Sequence, residues 1–156
     1  MTTFSLRLAD WEADQAALYA IRHEVFVVEQ HVPVEEEVDA HDPASIHVIV
    51  WTADGTPVAT GRLLPDGHIG RMAVRAPFRG CGLGGRVLES LVDEAARRGH
   101  TLVVLAAQTH AIPFYAAHGF RVYGPVFLDA GIEHRAMDRD PRIPRAPRNR
   151  APRPLS

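Results

Sequence analysis

Polar and apolar positions alternate at the start of the chain and then change period, which predicts a strand followed by a helix. Residues 4–8 alternate between apolar and polar side chains, as in a strand with one buried face. Asp10 can cap a helix from about Trp11 to Val27, because large apolar residues recur there every three or four positions. Residues 30–44 contain two prolines and many acidic side chains, and we expect a loop.

Three strands are predicted next, joined by two tight turns. The apolar-rich segments 46–52, 58–64 and 68–74 are separated by Asp54-Gly55 and Asp66-Gly67. Asp-Gly pairs between such segments are strong hairpin signals, so the three segments predict an antiparallel meander. No internal repeat and no second domain follow in the sequence.

Helical spacing begins after a glycine-rich stretch at residues 79–85. The apolar residues that follow fall on one face of a helix that ends near Arg98, where Gly99 suits the exit. Residues 101–107 are almost wholly apolar, as in a strand that is covered on both faces. A strand, a helix and a strand in this order predict a right-handed crossover and a parallel pair.

The remaining pattern completes one α+β domain over residues 1–138. A short helix is predicted at 112–118, and one or two strands are predicted within 120–122 and 134–137. The predicted fold is a mixed, mostly antiparallel central sheet flanked by helices, with one β-α-β crossover. The 156-residue length and an apolar content of 46% agree with a single globular core.

Charge sets the end of the chain apart. All 17 basic residues are arginines, and residues 139–156 hold six of them together with five prolines and one acidic residue. Such a segment buries too little apolar surface to fold alone, so we expect a disordered or extended tail. A basic tail leaves nucleic-acid contact open, but the net charge of −2 argues against nucleic-acid binding by the whole chain.

Several classes of protein are excluded by simple counts. No apolar run is long enough to span a bilayer, and the N-terminus lacks the blocks of a secretory signal. A single cysteine excludes an intrachain disulfide and a cysteine-rich zinc site. We expect a soluble cytoplasmic protein without membrane contact.

The glycine turn, residues 79–85 with the sequence Arg-Gly-Cys-Gly-Leu-Gly-Gly, is the most informative stretch. Its glycines leave main-chain N–H groups bare just before a helix, whose N-terminus is partly positive, and this suits a phosphate or pyrophosphate. A P-loop needs a lysine, which the chain lacks. A dinucleotide fingerprint needs an acidic residue after the next strand, which here ends in Ala107-Gln108.

The glycine turn resembles the coenzyme A signature of the GNAT superfamily of N-acetyltransferases, Arg/Gln-x-x-Gly-x-Gly/Ala at a helix start. Residues 108–120 resemble the second superfamily marker, Asn-x-x-Ala-x-x-Phe-Tyr-x-x-x-Gly-Phe, with Gln108 in place of the commoner asparagine. The resemblance covers residues 4–138. Further segments resemble the small bacterial ElaA-like branch, namely residues 25–30, 70–74, 107–110 and 131–137.

The resemblance implies an acetyl-CoA-dependent N-acetyltransferase that acts on a primary amine of a small acceptor by direct attack in a ternary complex, without a metal. It implies that residues 80–85 bind the pyrophosphate and that the strand at 72–74 pairs with the pantetheine arm. Tyr115 would donate a proton to the departing sulfur. The implied cofactor-binding residues are Met72, Ala73, Val74, Arg79, Gly80, Cys81, Gly82, Leu83, Gly84, Gly85, Gln108 and Tyr115. Small members of the superfamily often form dimers, so a homodimer is left open.

The group that accepts the amine proton is not fixed by these motifs. His110 lies beside Gln108, and Glu29 ends the first helix near the expected acceptor entrance, so both are candidate catalytic bases. Other acidic and histidine side chains remain alternatives, namely Glu35, Glu36, Glu37, Asp39, Asp42 and His47. A metal site at His41, Asp42 and His47 matches no standard spacing.

The acidic residues between positions 35 and 42 suggest a charge preference for the acceptor. A negative rim beside the acceptor entrance would attract a cationic amine, although an ordinary solvated loop explains the same residues. Cys81 is interpreted as a spacer within the glycine turn. Two other functions stay open, a non-catalytic CoA-binding module and a nucleic-acid-associated protein that uses the arginine tail.

Overall fold

The computed structural model describes residues 3–33 and 40–144, which form seven strands and three α-helices. The strands are β1 (Phe4–Leu8), β2 (Ile46–Thr52), β3 (Pro57–Leu63), β4 (Ile69–Val74), β5 (Val103–Gln108), β6 (Arg121–Asp129) and β7 (Ile132–Arg139). The α-helices are α1 (Trp11–Arg22), α2 (Leu83–Arg97) and α3 (Ile112–Ala117). No helix in this part of the chain has the length and apolar character that a membrane span requires.

The strands form two antiparallel groups that touch at one point. The predicted meander is confirmed by the order β1-β2-β3-β4, and the second group has the order β5-β7-β6. Among the described residues, an isolated parallel bridge between His68 and Val104 joins the groups. The crossover through α2 is therefore confirmed, whereas parallel pairing stops at this bridge, and a cavity lies between residues 69–72 of β4 and strand β5. The α+β fold class is confirmed.

Helices cover both faces of the meander, and the alternation within β2 explains how. Ile49 packs with Leu18 of α1 on one face. Val48 and Val50 point to the other face, where they share a buried cluster with Leu91 of α2. Successive side chains of a strand point to opposite faces, so the apolar residues of one strand can pack into two separate cores.

A bulge interrupts β4 near its middle. Arg71 and Met72 together oppose one residue of β3, Gly61, so the register shifts there. Arg71 has a φ of 49°, a left-handed conformation that is uncommon for residues other than glycine. Bulges of this kind re-aim side chains and backbone groups and are frequent beside active sites. A Cβ on Gly61 would lie 2.6 Å from Cγ1 of Val87, so α2 can pack this closely only against glycine.

The first helix differs from the sequence prediction beyond Arg22. The α-helix ends there, and the chain continues as a π-helical segment, His23–Glu29. Its wider winding is seen in the hydrogen bond from the N–H of Gln30 to the carbonyl of Val25, at 3.2 Å. Apolar spacing cannot separate these two helix types, and π-helical turns are frequent at functional sites.

The last two strands are longer than predicted and form a hairpin. Ala130 and Gly131 connect β6 to β7 with φ values of 51° and 77°, as a two-residue turn between antiparallel strands requires. Strand β7 also takes in Arg139, which the sequence analysis assigned to the tail. Arg139 is buried, and its guanidinium donates to the Glu89 carboxylate at 3.1 Å, so it belongs to the folded domain.

Candidate active site

The glycine turn, residues 79–85, is open on its outer side. Gly80 and Gly82 have φ values of 81° and 79°, which favour glycine strongly. No heavy atom lies within 4 Å of the position that a Cβ would take on either residue. The first hydrogen bond of α2 runs from the N–H of Arg86 to the carbonyl of Gly82, so the helix does not use the N–H groups that precede Arg86. These N–H groups can donate to a bound anion.

Arg79 ties the glycine turn to its surroundings. Its Nε donates to the carbonyl of Val74 at 2.8 Å, and its guanidinium makes two 2.9 Å contacts with the carboxylate of Glu29. The side chain therefore links the turn to β4 and to the end of the π-helical segment. This arrangement gives Arg79 a positioning role beside the turn, in addition to the cofactor contact that the resemblance implies.

The remaining residues of the turn differ in what they contact. Leu83 is buried and anchors the start of α2 in the core, whereas Cys81 is exposed with a free thiol. A Cβ on Gly84 would make an ordinary contact with Cζ of Phe114 at 3.6 Å. A Cβ on Gly85 would lie 3.1 Å from Nε2 of His118, so glycine leaves room for that imidazole.

One cavity, which we call the helix-side cavity, adjoins the glycine turn. It has a volume of about 450 Å³ and lies between β4, the π-helical segment, the start of α2 and residues 109–114. Its lining residues include Glu29, Gln30, Met72, Ala73, Val74, Arg79, Gly84, His110, Ala111 and Phe114. The structure thus brings together the predicted strand at 72–74, the glycine turn and both candidate bases, Glu29 and His110.

A second cavity, which we call the hairpin-side cavity, lies toward the β6–β7 hairpin. It has a volume of about 340 Å³ and lies between residues 69–72 of β4 and strand β5. Its polar lining residues include Gln30, Arg71, Gln108, Tyr115, Asp129 and His134. Gln30, Met72 and Ala111 line both cavities, so the two spaces adjoin at these residues.

Tyr115 is held in the wall of the hairpin-side cavity. Its ring packs edge-on against Phe114 and Phe120, with centroids 5.0 and 6.1 Å away. Burial raises the pKa of the Tyr115 hydroxyl above its ordinary value of 10.0. The hydroxyl therefore keeps its proton throughout the neutral range, and it can act as a proton donor toward a group in the cavity.

Gln108 bridges two elements at the edge of the same cavity. It is the last residue of β5, and its side-chain nitrogen donates to Oε1 of Gln30 at 3.4 Å. This contact links β5 to the residue that follows the π-helical segment. The longer amide in place of the commoner asparagine makes this contact with Gln30.

Two candidates from the sequence lie in a buried charge cluster instead of the cavities. The Asp42 carboxylate accepts hydrogen bonds from Arg22 and Arg62 at 3.0 Å, and the ring of His47 bonds the Asp42 backbone carbonyl through Nε2 at 2.9 Å. Burial alone would raise the pKa of Asp42, but the two guanidinium groups outweigh burial and lower it. Asp42 is therefore a structural anion between two cations and is not placed to act as a base.

Some candidates cannot be assigned a position. Glu35, Glu36, Glu37 and Asp39 lie outside the described residues, as does most of the arginine tail. Within residues 3–33 and 40–144, no group of three or more His, Cys, Asp or Glu side chains is arranged to hold a metal ion. His41, Asp42 and His47 accordingly form no such group.

Three titratable residues of the hairpin-side cavity were not among the candidates: Arg71, Asp129 and His134. The sequence did not indicate Arg71, because it lies in a bulge and simple strand alternation does not predict which way its side chain points. Asp129 and His134 flank the β6–β7 turn. The Asp-Ala-Gly sequence between two alternating segments was the signal that could have revealed this hairpin.

Comparison with protein families identifies one match that covers most of the chain. The family described as "Acetyltransferase (GNAT) domain" matches residues 8–140. A Bacillus subtilis protein named uncharacterized N-acetyltransferase YjcF is 42% identical over 126 residues, which is 78% of this chain and 89% of that protein. The Mycobacterium bovis UPF0039 protein Mb2876c is 34% identical over 149 residues, which is 88% of this chain and 93% of that protein.

Solved structures agree with this match. Escherichia coli ElaA has a TM-score of 0.77 at 28% identity, with 90% of this chain and all (100%) of that chain covered. An acyl-CoA N-acyltransferase from Pseudomonas aeruginosa has a TM-score of 0.76 at 32% identity, with 89% of this chain and 99% of that chain covered. The predicted resemblance, including its ElaA-like branch, is confirmed.

Proposed function

The chain belongs to the GNAT acetyltransferase family and is an acetyltransferase, and we propose that it transfers an acetyl group from acetyl-CoA to a primary amine of a small acceptor. The observation that carries this proposal is the glycine turn, whose N–H groups are unused by α2 and adjoin a cavity that runs along β4. Acetyl-CoA supplies the activated acyl group when it is bound.

The residues present fit a pyrophosphate and a pantetheine arm. Because no atom lies within 4 Å of the missing Cβ positions of Gly80 and Gly82, a bulky anion can approach the backbone of the turn closely. Met72, Ala73 and Val74 line the adjoining cavity and would bind the pantetheine arm through their backbone. An N–H at Met72 or Ala73 would polarise the thioester carbonyl.

We assign the proton donor role to Tyr115. Its hydroxyl keeps its proton at neutral pH because burial raises its pKa, and its ring is fixed by aromatic contacts on two sides. A tyrosine near the junction of the cavities would protonate the departing sulfur. Direct attack in a ternary complex is favoured because the two cavities adjoin at Gln30, Met72 and Ala111 and so offer room for two substrates at once.

Two measurements test the proposed function. Calorimetry should show that the purified protein binds acetyl-CoA. Release of free thiol should then depend on an amine from a panel of spermidine, glucosamine, kanamycin and trialanine. Absence of acetyl-CoA binding would overturn the cofactor assignment, and binding without amine-dependent thiol release would favour the non-catalytic module. A preference for spermidine would support steering by the acidic residues at positions 35–42.

We also propose that residues 145–156 take no part in acetyl transfer. Their composition is dominated by arginine and proline, and the family match ends at residue 140. A chain that stops after Pro144 should bind acetyl-CoA and acetylate the same amine as the full chain. Loss of either activity would show that the tail contributes to the site.

A further inference from the structure

We propose that the hairpin-side cavity holds the acceptor amine and that His134 accepts the proton which this amine loses. The proposal rests on the proposed function, because it needs an acyl donor in the neighbouring helix-side cavity. It names a base that differs from Glu29 and His110. It also places the acceptor between β5 and the β6–β7 hairpin.

The surroundings of His134 fix which ring nitrogen can take a proton. Its Nδ1 lies 2.7 Å from the carbonyl oxygen of Ile132. A carbonyl oxygen only accepts hydrogen bonds, so Nδ1 must carry the hydrogen, and Nε2 of the neutral ring is left with the lone pair. The ring is buried and stacks on Phe127 at a centroid distance of 5.8 Å, so its orientation is held.

The strand register places His134 among the other polar residues of the hairpin-side cavity. In the antiparallel register, His134 is directly opposite Gln108, the last residue of β5. His134 and Tyr115 line the same cavity, and Met72 connects that cavity to the helix-side cavity. A proton donor for the sulfur and a proton acceptor for the nitrogen thus share the space in which an amine would meet an acyl group.

The other candidate bases are less suited by their contacts. Glu29 forms an ion pair with Arg79 that has contacts of 2.9 Å, so its carboxylate holds the first residue of the glycine turn in place. His110 is exposed and lines only the helix-side cavity. Neither side chain lines the hairpin-side cavity.

Three charged or titratable groups face the hairpin-side cavity together with His134, namely Arg71 from β4, Tyr115 from α3 and Asp129 from the hairpin. The neighbouring residues of β5, Ala107 and Gln108, carry no charge. Asp129 is exposed at the mouth, where its carboxylate would attract the ammonium form of an amine. The ammonium must lose one proton before its nitrogen can attack.

The amine nitrogen forms a bond to the acyl carbon while the carbon–sulfur bond breaks, and the electron pair of that bond leaves with the sulfur. The proton released by nitrogen passes to Nε2 of His134, and the sulfur takes the proton of the Tyr115 hydroxyl. His134 and Tyr115 regain their starting states by exchange with water.

The test compares His134→Asn with His68→Asn, measured with whichever panel amine the wild type acetylates fastest. Asparagine can still donate to the Ile132 carbonyl but has no basic nitrogen, and the side chain of His68 is exposed and lines neither cavity. His134→Asn should lower kcat/KM at neutral pH by about 10²–10⁴-fold. Its acetyl-CoA affinity by calorimetry should equal that of the wild type, and His68→Asn should keep wild-type kcat/KM.

The pH profile separates a base from a merely structural residue. In the wild type, kcat/KM should fall on acidification, because a His134 ring that already carries a second proton cannot accept one from the amine. In His134→Asn the rate should instead keep rising toward the pKa of the amine, near 10, so the deficit shrinks at high pH. An unchanged profile in the variant, or a loss below threefold, would overturn the proposal.

The tautomer of His134 can be measured without an acceptor amine, and this tests the proposal independently of enzyme activity. Long-range proton–nitrogen NMR spectra of the imidazole of His134, recorded with and without CoA, should show hydrogen on Nδ1 and none on Nε2. Hydrogen on Nε2 would contradict the proposal even if acetyl-CoA binds normally. A wild type that binds no acetyl-CoA would instead overturn the proposed function, so the two failures can be told apart.

Discussion

The two cavities of this molecule are built in different ways. The helix-side cavity lies beside residues 72–74 of β4 and beside Arg79 and Gly84 of the glycine turn, whose N–H groups are not used by α2. The hairpin-side cavity is framed by polar side chains that come from β4, β5, α3 and the β6–β7 hairpin. The first suits a group that all family members share, and the second suits a group that differs from one member to the next.

The difference predicts how each cavity responds to substitution. A backbone site depends on conformation and on the absence of Cβ atoms, so only a few positions can damage it. A side-chain site depends on individual functional groups, so a single conservative replacement can remove one chemical step while binding of the acyl donor continues.

Tyr115→Phe should separate catalysis from cofactor binding most sharply. Removal of the hydroxyl should lower kcat by about 10²–10⁴-fold if it protonates the sulfur, and acetyl-CoA affinity should change little. Tyr123→Phe is the matched control, because Tyr123 is an exposed tyrosine of β6. Thiol-release kinetics and calorimetry measure both quantities. A variant that loses acetyl-CoA binding along with kcat would contradict the division between the cavities.

Asp42→Asn should destabilise the structure around both cavities, because Asp42 forms an ion pair next to the π-helical segment that lines them. Arg22, its partner, immediately precedes the π-helical segment, whose residues line both spaces. Replacement leaves two buried guanidinium groups facing a neutral amide, and the free energy of unfolding should fall by about 3–5 kcal/mol. Asp93→Asn, on the exposed face of α2, should change little. Chemical denaturation measures the difference.

The pH dependence of that difference follows from the pKa of Asp42, which is lowered in the folded protein. A carboxyl group whose pKa is lowered by folding stabilises the folded state at pH values above its unfolded-state pKa. This stabilisation is lost as the pH falls through the folded-state pKa. The gap between the wild type and Asp42→Asn should therefore be constant from about pH 5 to 8 and should shrink below the ordinary aspartate pKa of 3.8. A gap that grows on acidification would contradict this account of the cluster.

Gly82→Val tests the backbone site against backbone strain alone. Gly55 has a similar φ, 88° against 79°, and neither residue has a heavy atom within 4 Å of its missing Cβ. Valine at either position should cost about 1–2 kcal/mol of stability through the left-handed conformation. Only Gly82→Val should weaken acetyl-CoA binding, by roughly tenfold or more, which is about 1.4 kcal/mol. Equal acetyl-CoA affinities in the two variants would contradict the phosphate assignment.

Gly84→Ala should have the smallest effect. Its Cβ would make an ordinary contact with Phe114, and the position lies in the first turn of α2 with a helical conformation. Alanine should raise stability by about 0.5–1 kcal/mol and should leave acetyl-CoA affinity within about threefold of the wild type. Thermal unfolding and calorimetry measure these changes. A loss of binding here as large as in Gly82→Val would show that bulk, and not conformation, decides the behaviour of the turn.

The same contrast explains what the sequence could predict. The strands of the meander, α2 and the glycine turn were predictable because local spacing, Asp-Gly turns and glycine itself determine them. The parallel pair was predicted too broadly, and the π-helical segment was taken as α-helix, because both features depend on packing between distant segments. Local sequence pattern predicts a binding site that is made of main-chain groups. It predicts a site made of side chains only where a motif identifies the residue, as with Tyr115.

The members of the hairpin-side cavity show this limit. Arg71 lines the cavity from the bulge of β4 that lies opposite Gly61, and Gly61 is also the residue against which α2 packs closely. His134 reaches the cavity because β7 pairs with β5, a strand that is distant in sequence. Neither position follows from the spacing of its own segment, so only the folded arrangement reveals them.

We expect the glycine turn to bind the diphosphate of acetyl-CoA and residues 72–74 of β4 to bind its pantetheine arm. Backbone amide NMR during titration with acetyl-CoA tests this expectation most directly. The largest shifts should occur at residues 80–85 and at 72–74, and the Gly55 amide should not move. Saturable binding with its largest shifts outside these two segments, or no shifts at all, would contradict the account.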